Sequence, residues 1–288
     1  MSLFIASIWQ WFENNNRDLP WRRTRDPYAI CVSEFMLQQT QVDRVIPKYF
    51  RWLELFPTWK SLAETSTAQV ISEWSGLGYN SRALRLQKLA RAVVDKYQGI
   101  LPSGEEDLLD LPGIGPYTAR ALQAFAFEKE VTVIDTNIER IMLRYFWAKA
   151  EHERTELEKR LLKVITDKAA KQHIPFARYF FQALMDFGAL VCKAKPQCSI
   201  CPLKMTCKAF AVQKFVVHRP KQSHFPHSKR YYRGQLLREL KNKHRITIHS
   251  LRQVDIQKYS WSEIIQSLQK DGLVAVHEKP EEYVTLPQ

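Results

Sequence analysis

Glu34 is the one charged side chain in the run "SEFMLQQTQV" (residues 33–42), ahead of Phe35, Met36 and Leu37 and then Gln38, Gln39 and Thr40. A carboxyl group among apolar neighbours favours its protonated form, which suits a proton donor. Asp135 stands in "VTVIDTNIER" (residues 131–140), behind a β-branched run and ahead of Thr136 and Asn137. There a carboxylate can cap a helix that begins near Asn137, and the free N–H groups of such an end favour its ionised form. Cys192, Cys198, Cys201 and Cys207 follow the spacing C-x5-C-x2-C-x5-C. Four thiolates so close together can hold zinc or an iron–sulfur cluster, and the spacing leaves both open. The fifth cysteine, Cys31, reads as a small buried residue.

These residues need elements to hold them. Up to about residue 190, apolar residues recur at three- and four-residue steps, as in "DRVIPKYFRWLELF", "SRALRLQKLARAVVDKY" and "ARYFFQALMDFGALV", with short breakers between. That pattern predicts an all-helical domain without a fixed-period repeat. In "LPGIGPYTARA" (residues 111–121), Pro112 ends one helix, Gly113 and Gly115 allow a tight turn, and the next helix starts at once. Such a turn can hold a DNA phosphate on outward N–H groups, or can simply join two helices.

Past Cys207 the composition changes. From Lys214 to Arg245 there are ten Lys or Arg against Glu239 alone. The last sixty or so residues predict a helix at "YRGQLLRELKN", a short segment at "TIHSLRQ", and a helix at "SWSEIIQSLQKDG" capped by Ser260 or Ser262 and stopped at Gly272. Two alternating stretches, "LVAVHEK" and "EEYVTLP", then read as a hairpin. Helices followed by a hairpin fit a small winged-helix domain or an interaction module without a DNA role.

Across all 288 residues, 43 Lys and Arg against 30 Asp and Glu give a formal net charge of +13, which favours a polyanionic partner, nucleic acid ahead of an anionic membrane. No apolar run approaches the roughly 18 residues of a membrane span, and the first residues lack the marks of a signal peptide. A cytoplasmic, nucleoid-associated location and a monomer are expected. An odd number of cysteines, four of them clustered, argues against a disulfide framework.

The motifs "RDLPWR" (17–22), "DPYAICVSEFMLQQTQV" (26–42), "GLGYNSRA" (76–83), "LPGIGPYTA" (111–119), "IDTNIERI" (134–141) and "ALMDFGALVC" (183–192) occur in this order. Over about residues 10–213 the chain resembles the helix-hairpin-helix DNA glycosylases, and within them the MutY-type A/G-specific adenine glycosylases. The resemblance implies a mainly α fold: a six-helix module plus an iron–sulfur cluster module, followed by the small winged-helix-like domain. The expected boundaries are 1–213 for the catalytic domain with its cluster loop 192–207, 214–228 for a basic linker and 229–288 for the C-terminal domain.

The same resemblance implies the chemistry. Glu34 matches the proton donor to the target base and Asp135 the carboxylate that stabilises the sugar cation, a division of labour shared with glycoside hydrolysis. At the position of Tyr117 the strand-cleaving relatives carry a lysine that forms a Schiff base; a phenol cannot, so a monofunctional enzyme without lyase activity is implied. Gln38, Gln39 and Thr40 match a wedge beside the orphan base, and Leu77 and Tyr79 match residues that enter the base stack. Arg17 and Arg22 match positions near the adenine pocket and phosphates, while Gly113, Gly115 and Asn137 belong to the DNA-binding motifs. The cysteines match a [4Fe-4S] cluster, with double-stranded DNA containing A:8-oxoguanine or A:G mismatches as partner.

Two departures stand out. The family usually has six residues between its first two cysteines, where "KAKPQ" gives five, and nothing in residues 229–288 resembles the larger NUDIX-like domain of many bacterial relatives. The segment bears a looser resemblance to the shorter C-terminus of actinobacterial adenine glycosylases. Two other readings compete: a thymine or uracil glycosylase acting at G mismatches, and a non-catalytic iron–sulfur DNA-binding protein.

Overall fold

The structure is a computed structural model and describes residues 2–148, 154–169, 175–215, 224–254, 256, 258–278 and 281–288. Its first helices are α1 (Ser2–Asn15), α2 (Pro27–Leu37), α3 (Val42–Leu55), α4 (Trp59–Glu64) and α5 (Thr67–Trp74). They are followed by α6 (Ser81–Tyr97), α7 (Glu105–Leu109), α8 (Pro116–Phe125), α9 (Thr136–Met142), α10 (Arg154–Ala169) and α11 (Phe176–Leu190). The remainder comprises α12 (Lys208–Ala211), α13 (Lys229–Lys243), β1 (Arg245–Thr247), α14 (Ile248–Arg252), α15 (Trp261–Lys270), β2 (Ala275–His277) and β3 (Tyr283–Thr285).

Local chemistry sets many of these ends. Thr58 and Ser61 form a reciprocal capping box on α4, Pro116 occupies the first turn of α8, and Asp135 caps α9. A π-helical turn, Leu143–Trp147, continues α9 and brings Arg144 toward the cysteine loop.

The chain forms two compact units. The first comprises residues 1–30, 103–106 and 115–220; the second comprises 31–102, 107–114 and 221–288. In the first, Phe4, Ile8, Phe176, Phe180, Phe181 and Phe187 are buried, and Trp9 stacks on Phe176 at 5.7 Å. In the second, Trp52 and Trp74 meet edge to face at 5.3 Å inside a core that includes Val45, Leu62, Leu86 and Leu89.

Residues 229–288 run helix, strand, helix, helix, strand, strand, the order of a winged helix. The expected hairpin is present as β2 and β3, with Val276 opposite Val284. No pattern in the sequence marks β1, which pairs with β3 to complete a sheet of order β1-β3-β2. Three residues are too few to display an alternation. Ser260 and Glu263 form the capping box of α15, as the sequence predicts for Ser260. The core of this segment takes in Ile71 of α5, with Leu84 of α6 packed against it, so the segment shares apolar packing with residues 31–102. Residues 216–223 of the expected linker lie outside the described residues.

Candidate active site and cysteine loop

Glu34 lies on α2 in the second unit and is 8% exposed, between the buried Ser33 and Phe35. The helix is buried all round here, and burial, followed by the charge of Glu34, pushes the Cys31 thiol well above its usual range. Gly113 packs close to Phe35. Its φ is +84°, and a β-carbon there would lie 3.3 Å from the Phe35 ring and 3.2 Å from the Arg85 β-carbon. Only glycine meets both demands without strain, so the hairpin turn sits against the residue beside Glu34.

Behind α2 the chain is organised by Arg82, which is 3% exposed. Its Nη1 donates to the carbonyls of Phe35, Met36 and Gln38 at 2.8, 2.9 and 2.7 Å. Its Nη2 donates to Thr40 Oγ1, the Leu77 carbonyl and the Gly78 carbonyl at 3.0, 3.1 and 2.8 Å. Thr40 Oγ1 donates in turn to the Leu77 carbonyl at 3.2 Å. One guanidinium thus closes the C-terminal end of α2 and ties the 38–40 turn to the 77–79 turn. Burial lowers the pKa of Arg82 to about 10, which still leaves it charged at neutral pH. Leu77 is buried, whereas Gln39 is exposed and Tyr79 is 39% exposed.

In the first unit, Asp135 Oδ1 accepts from the backbone N–H groups of Asn137 and Ile138 at 2.9 and 2.7 Å, and Oδ2 accepts from Asn137 Nδ2 at 2.8 Å. Arg140 Nη2 donates to Asn137 Oδ1 and to the Gly188 carbonyl, both at 2.8 Å, and its Nε to the Cys192 carbonyl at 2.8 Å. A chain of hydrogen bonds therefore runs from Asp135 to the first cysteine of the loop. Gly188 is required for it: a β-carbon there would lie 2.6 Å from that of Asn137. The helix start does not hold the Asp135 carboxyl low, as its position suggested. Burial raises its pKa, and the bonds from Ile138 and Asn137 and the charge of Arg140 oppose that rise. Gly115 caps α8 without a side-chain bond, and Tyr117, in the first turn, lines a cavity of about 380 Å³ with Pro116, Arg120, Ile134 and Glu158.

Arg17 and Arg22 meet a residue the sequence reading passed over. Asp186 on α11 is fully buried and accepts from Arg17 N and Nε at 3.0 and 2.6 Å and from Arg22 Nη1 and Nη2 at 2.7 and 2.8 Å. Burial raises the Asp186 pKa, and the two arginines override it to leave a net lowering. Its contribution to stability is therefore complete above the unfolded value near 3.9 and is lost as pH falls through the lower folded value. Asp186→Asn should cost about 3 kcal/mol at pH 7, since it leaves two arginines facing a neutral amide. Thermal unfolding across pH 2–7 checks this: the gap from the wild type should begin to narrow below about pH 4 and go on shrinking toward pH 2, and a gap independent of pH would contradict it.

Cys192, Cys198, Cys201 and Cys207 line one cavity with Arg144, Phe210 and Phe215. None is in a disulfide. Arg144 is 2% exposed; its Nη1 donates to the Lys193 carbonyl at 2.5 Å and lies 3.5 Å from Cys192 Sγ, and its Nη2 donates to the Ala194 carbonyl at 2.9 Å. Burial raises the Cys198 and Cys207 thiols and takes Cys201 to about 11. Among the described residues no three His, Cys, Asp or Glu side chains come together as a single metal ion requires. Four free thiols around one cavity nevertheless form a soft, all-sulfur donor set, the type that suits an iron–sulfur cluster.

Residues 32–167 match the family model described as HhH-GPD superfamily base excision DNA repair protein. An adenine DNA glycosylase of Buchnera aphidicola subsp. Baizongia pistaciae is 38% identical over 214 residues, 74% of this chain and 60% of the relative. One of Mycolicibacterium smegmatis is 39% identical over 205 residues, 70% of this chain and 68% of the relative, and one of Homo sapiens is 40% identical over 221 residues, 73% of this chain and 40% of the relative. Among solved structures, a thermostable thymine-DNA glycosylase superposes with a TM-score of 0.67 at 29% identity, covering 73% of this chain and 96% of that one. Endonuclease III in a non-covalent DNA complex gives a TM-score of 0.63 at 25% identity, over 73% and 94% of the two chains. No helix among the described residues is long and apolar enough to cross a membrane.

Proposed function

We propose, for a chain that belongs to the adenine DNA glycosylases of the HhH-GPD superfamily, that it removes adenine mispaired with 8-oxoguanine or guanine and leaves the strand intact. The observation that carries this reading is the setting of Asp135. A helix cap needs one or two N–H bonds, whereas here Asn137 adds a side-chain donor and Arg140 fixes that donor in turn. Such bracing suits a carboxylate that must face a reacting carbon in one orientation.

In this reading Glu34 donates its proton to the adenine as the bond between N9 and C1′ breaks and the electron pair leaves with the base. Asp135, ionised, stabilises the positive charge on the sugar. Water then adds to C1′ and returns a proton to Glu34. Tyr117 has no amine with which to trap the sugar, so the product is an abasic site. Gln38, Gln39, Thr40 and Tyr79 fill the space left by the extruded base, the carbonyl of the buried Leu77 holds Thr40 and Arg82 behind them, and the 113–115 turn and the start of α8 take a phosphate. The partner is double-stranded DNA, consistent with the net charge of +13. Cys192, Cys198, Cys201 and Cys207 hold a [4Fe-4S] cluster. Bound there, the cluster would cross-link the loop, whose Lys193, Lys195, Lys204 and Lys208 offer positive charge to the DNA backbone.

The likeness to a thymine-DNA glycosylase supports a second reading, excision of thymine opposite guanine. One experiment separates the two. Duplexes with A opposite 8-oxoguanine, G or T, and with T opposite G, are incubated with the protein and then treated with or without alkali, the arm without alkali being kept unheated. Cleavage after alkali alone, fastest for A opposite 8-oxoguanine, is the expected outcome; thymine release overturns the substrate, and cleavage without alkali overturns the monofunctional assignment. The same preparation should contain about four iron and four acid-labile sulfide per chain, whereas a single tightly bound zinc would replace the cluster.

A further inference from the structure

Tyr79 is held from two sides within the second unit. Its φ is +46°, a conformation rarely adopted by a bulky residue. From below, Trp74 Nε1 donates to the Gly78 carbonyl at 3.2 Å and Arg82 Nε to the Tyr79 carbonyl at 3.4 Å, with the Arg82 guanidinium 5.7 Å from the Tyr79 ring. Those contacts fix the backbone and leave the far end of the ring to be fixed by something else. Arg230 does so: its Nη1 donates to the Tyr79 hydroxyl at 2.9 Å, and its guanidinium lies 5.9 Å from the ring centre.

Arg230 occupies the second position of α13, whose start is capped by Ser228. Near the other end of α13, Lys241 Nζ donates to the Ser72 carbonyl at 3.2 Å and pairs with Glu73 at 3.8 Å. The helix is thus moored on residues 31–102 at both ends, with Ile71 and Leu84 in the apolar packing between. In α15, the helix that a winged helix uses for reading DNA, the exposed residues are Ser262, Glu263, Gln266, Gln269 and Lys270, with no excess of positive charge. Arg233 is committed to Asp271 and Ser267. This C-terminal domain is built to brace a loop more than to read a groove.

We propose that Arg230 is a positioning residue for Tyr79, through which the C-terminal domain sets the ring inserted beside the orphan base and so contributes to telling 8-oxoguanine from guanine opposite adenine. The inference rests on the adenine glycosylase reading. Its test measures single-turnover excision by the full chain from A:8-oxoguanine and A:G duplexes for wild type, Arg230→Ala, Arg230→Lys, Tyr79→Phe and the double variant Arg230→Ala/Tyr79→Phe. A 2-aminopurine beside the target adenine reports unstacking. Arg230→Ala should bring the ratio of the two rates about fivefold closer to one and reduce the 2-aminopurine signal at saturating protein, the scale of one charged hydrogen bond with a cation–π contact, and Tyr79→Phe, which keeps the ring face and loses the hydrogen bond, should do so about threefold.

The double variant should be no worse than Arg230→Ala alone, and Arg230→Lys should fall between Arg230→Ala and the wild type. If Arg230→Ala fails to fold, Tyr79→Phe, which removes one oxygen atom, carries the test. An unchanged ratio, additive effects, or an equal loss of affinity on every duplex with the salt slope reduced by about one, the mark of a simple phosphate contact, sinks the proposal. So does a wild-type ratio near one. Failure of the wild-type chain to release adenine from either duplex would overturn the proposed function and the latch with it, whereas normal excision with an indifferent Arg230 sinks the latch alone.

Discussion

Replacing Glu34 by Gln should lower single-turnover adenine excision by about 100- to 10,000-fold, the range spanned by removal of a general acid, while leaving affinity for the mismatch duplex within about threefold. The amide keeps the shape and hydrogen-bonding capacity of the carboxyl group and loses the transferable proton. At 8% exposure, with Ser33 and Phe35 buried on either side, Glu34 has little water to substitute for it. A smaller variant such as Glu34→Ala would open a cavity in α2 and confuse lost chemistry with lost packing. Rapid-quench measurement with enzyme in excess gives the rate, and a binding titration of the same variant gives the affinity. Excision within about tenfold of wild type would remove Glu34 as the acid. Equal losses of binding and excision would instead assign it a place in DNA recognition.

That expectation comes from one lone acid in an apolar helix, and the chain contains two. Asp186 in "ALMDFGALVC" has the same local signature as Glu34, yet it is the buried partner of Arg17 and Arg22, 169 and 164 residues away. Sequence shows that such an acid needs a reason. It does not show whether the reason is chemistry or an ion pair, because the partner is fixed by tertiary packing. Arg82 illustrates the same limit: it lies inside the motif "GLGYNSRA", but most of its acceptors are backbone carbonyls, which any sequence possesses. Arg140 and Arg144 were equally silent, since they reach carbonyls of a loop some fifty residues on.

Features encoded over a few residues were legible. The helical period, the Asp135 cap, the Ser260 box and the β2–β3 hairpin all followed from short-range pattern. The β1 strand depends on pairing with a distant segment and was not. Nor was the sharing of a core between residues 221–288 and 31–102, which turned on the side chains of Ile71 and Leu84 in helices that look ordinary by themselves.

Replacing Asp135 by Asn should reduce excision by about 100- to 1,000-fold, yet cost the fold little stability at neutral pH. The two halves of this expectation have separate causes. In the proposed mechanism, loss of excision follows from removing the negative charge that faces the developing sugar cation. Retained stability follows from the direction of the Asp135 pKa, which burial raises against the pull of Ile138, Asn137 and Arg140. For an acid, a raised folded pKa means that folding favours the protonated form, so at pH values above it the charge costs stability, and a neutral isostere is relieved of that cost, which offsets the bond from Asn137 Nδ2 that its own amide nitrogen cannot accept. Asn caps a helix about as well as Asp, so α9 keeps its start, whereas Asp135→Ala loses the cap and should be about 1 kcal/mol less stable. Thermal melts and single-turnover rates on both variants decide the matter. A cap without catalytic duty would leave Asp135→Asn active, and a structural anchor would make it melt as early as Asp135→Ala. A stable but inactive Asp135→Asn protein would mean that a charge is retained at a place where the fold gains little from it, which is the thermodynamic signature of a residue kept for its chemistry.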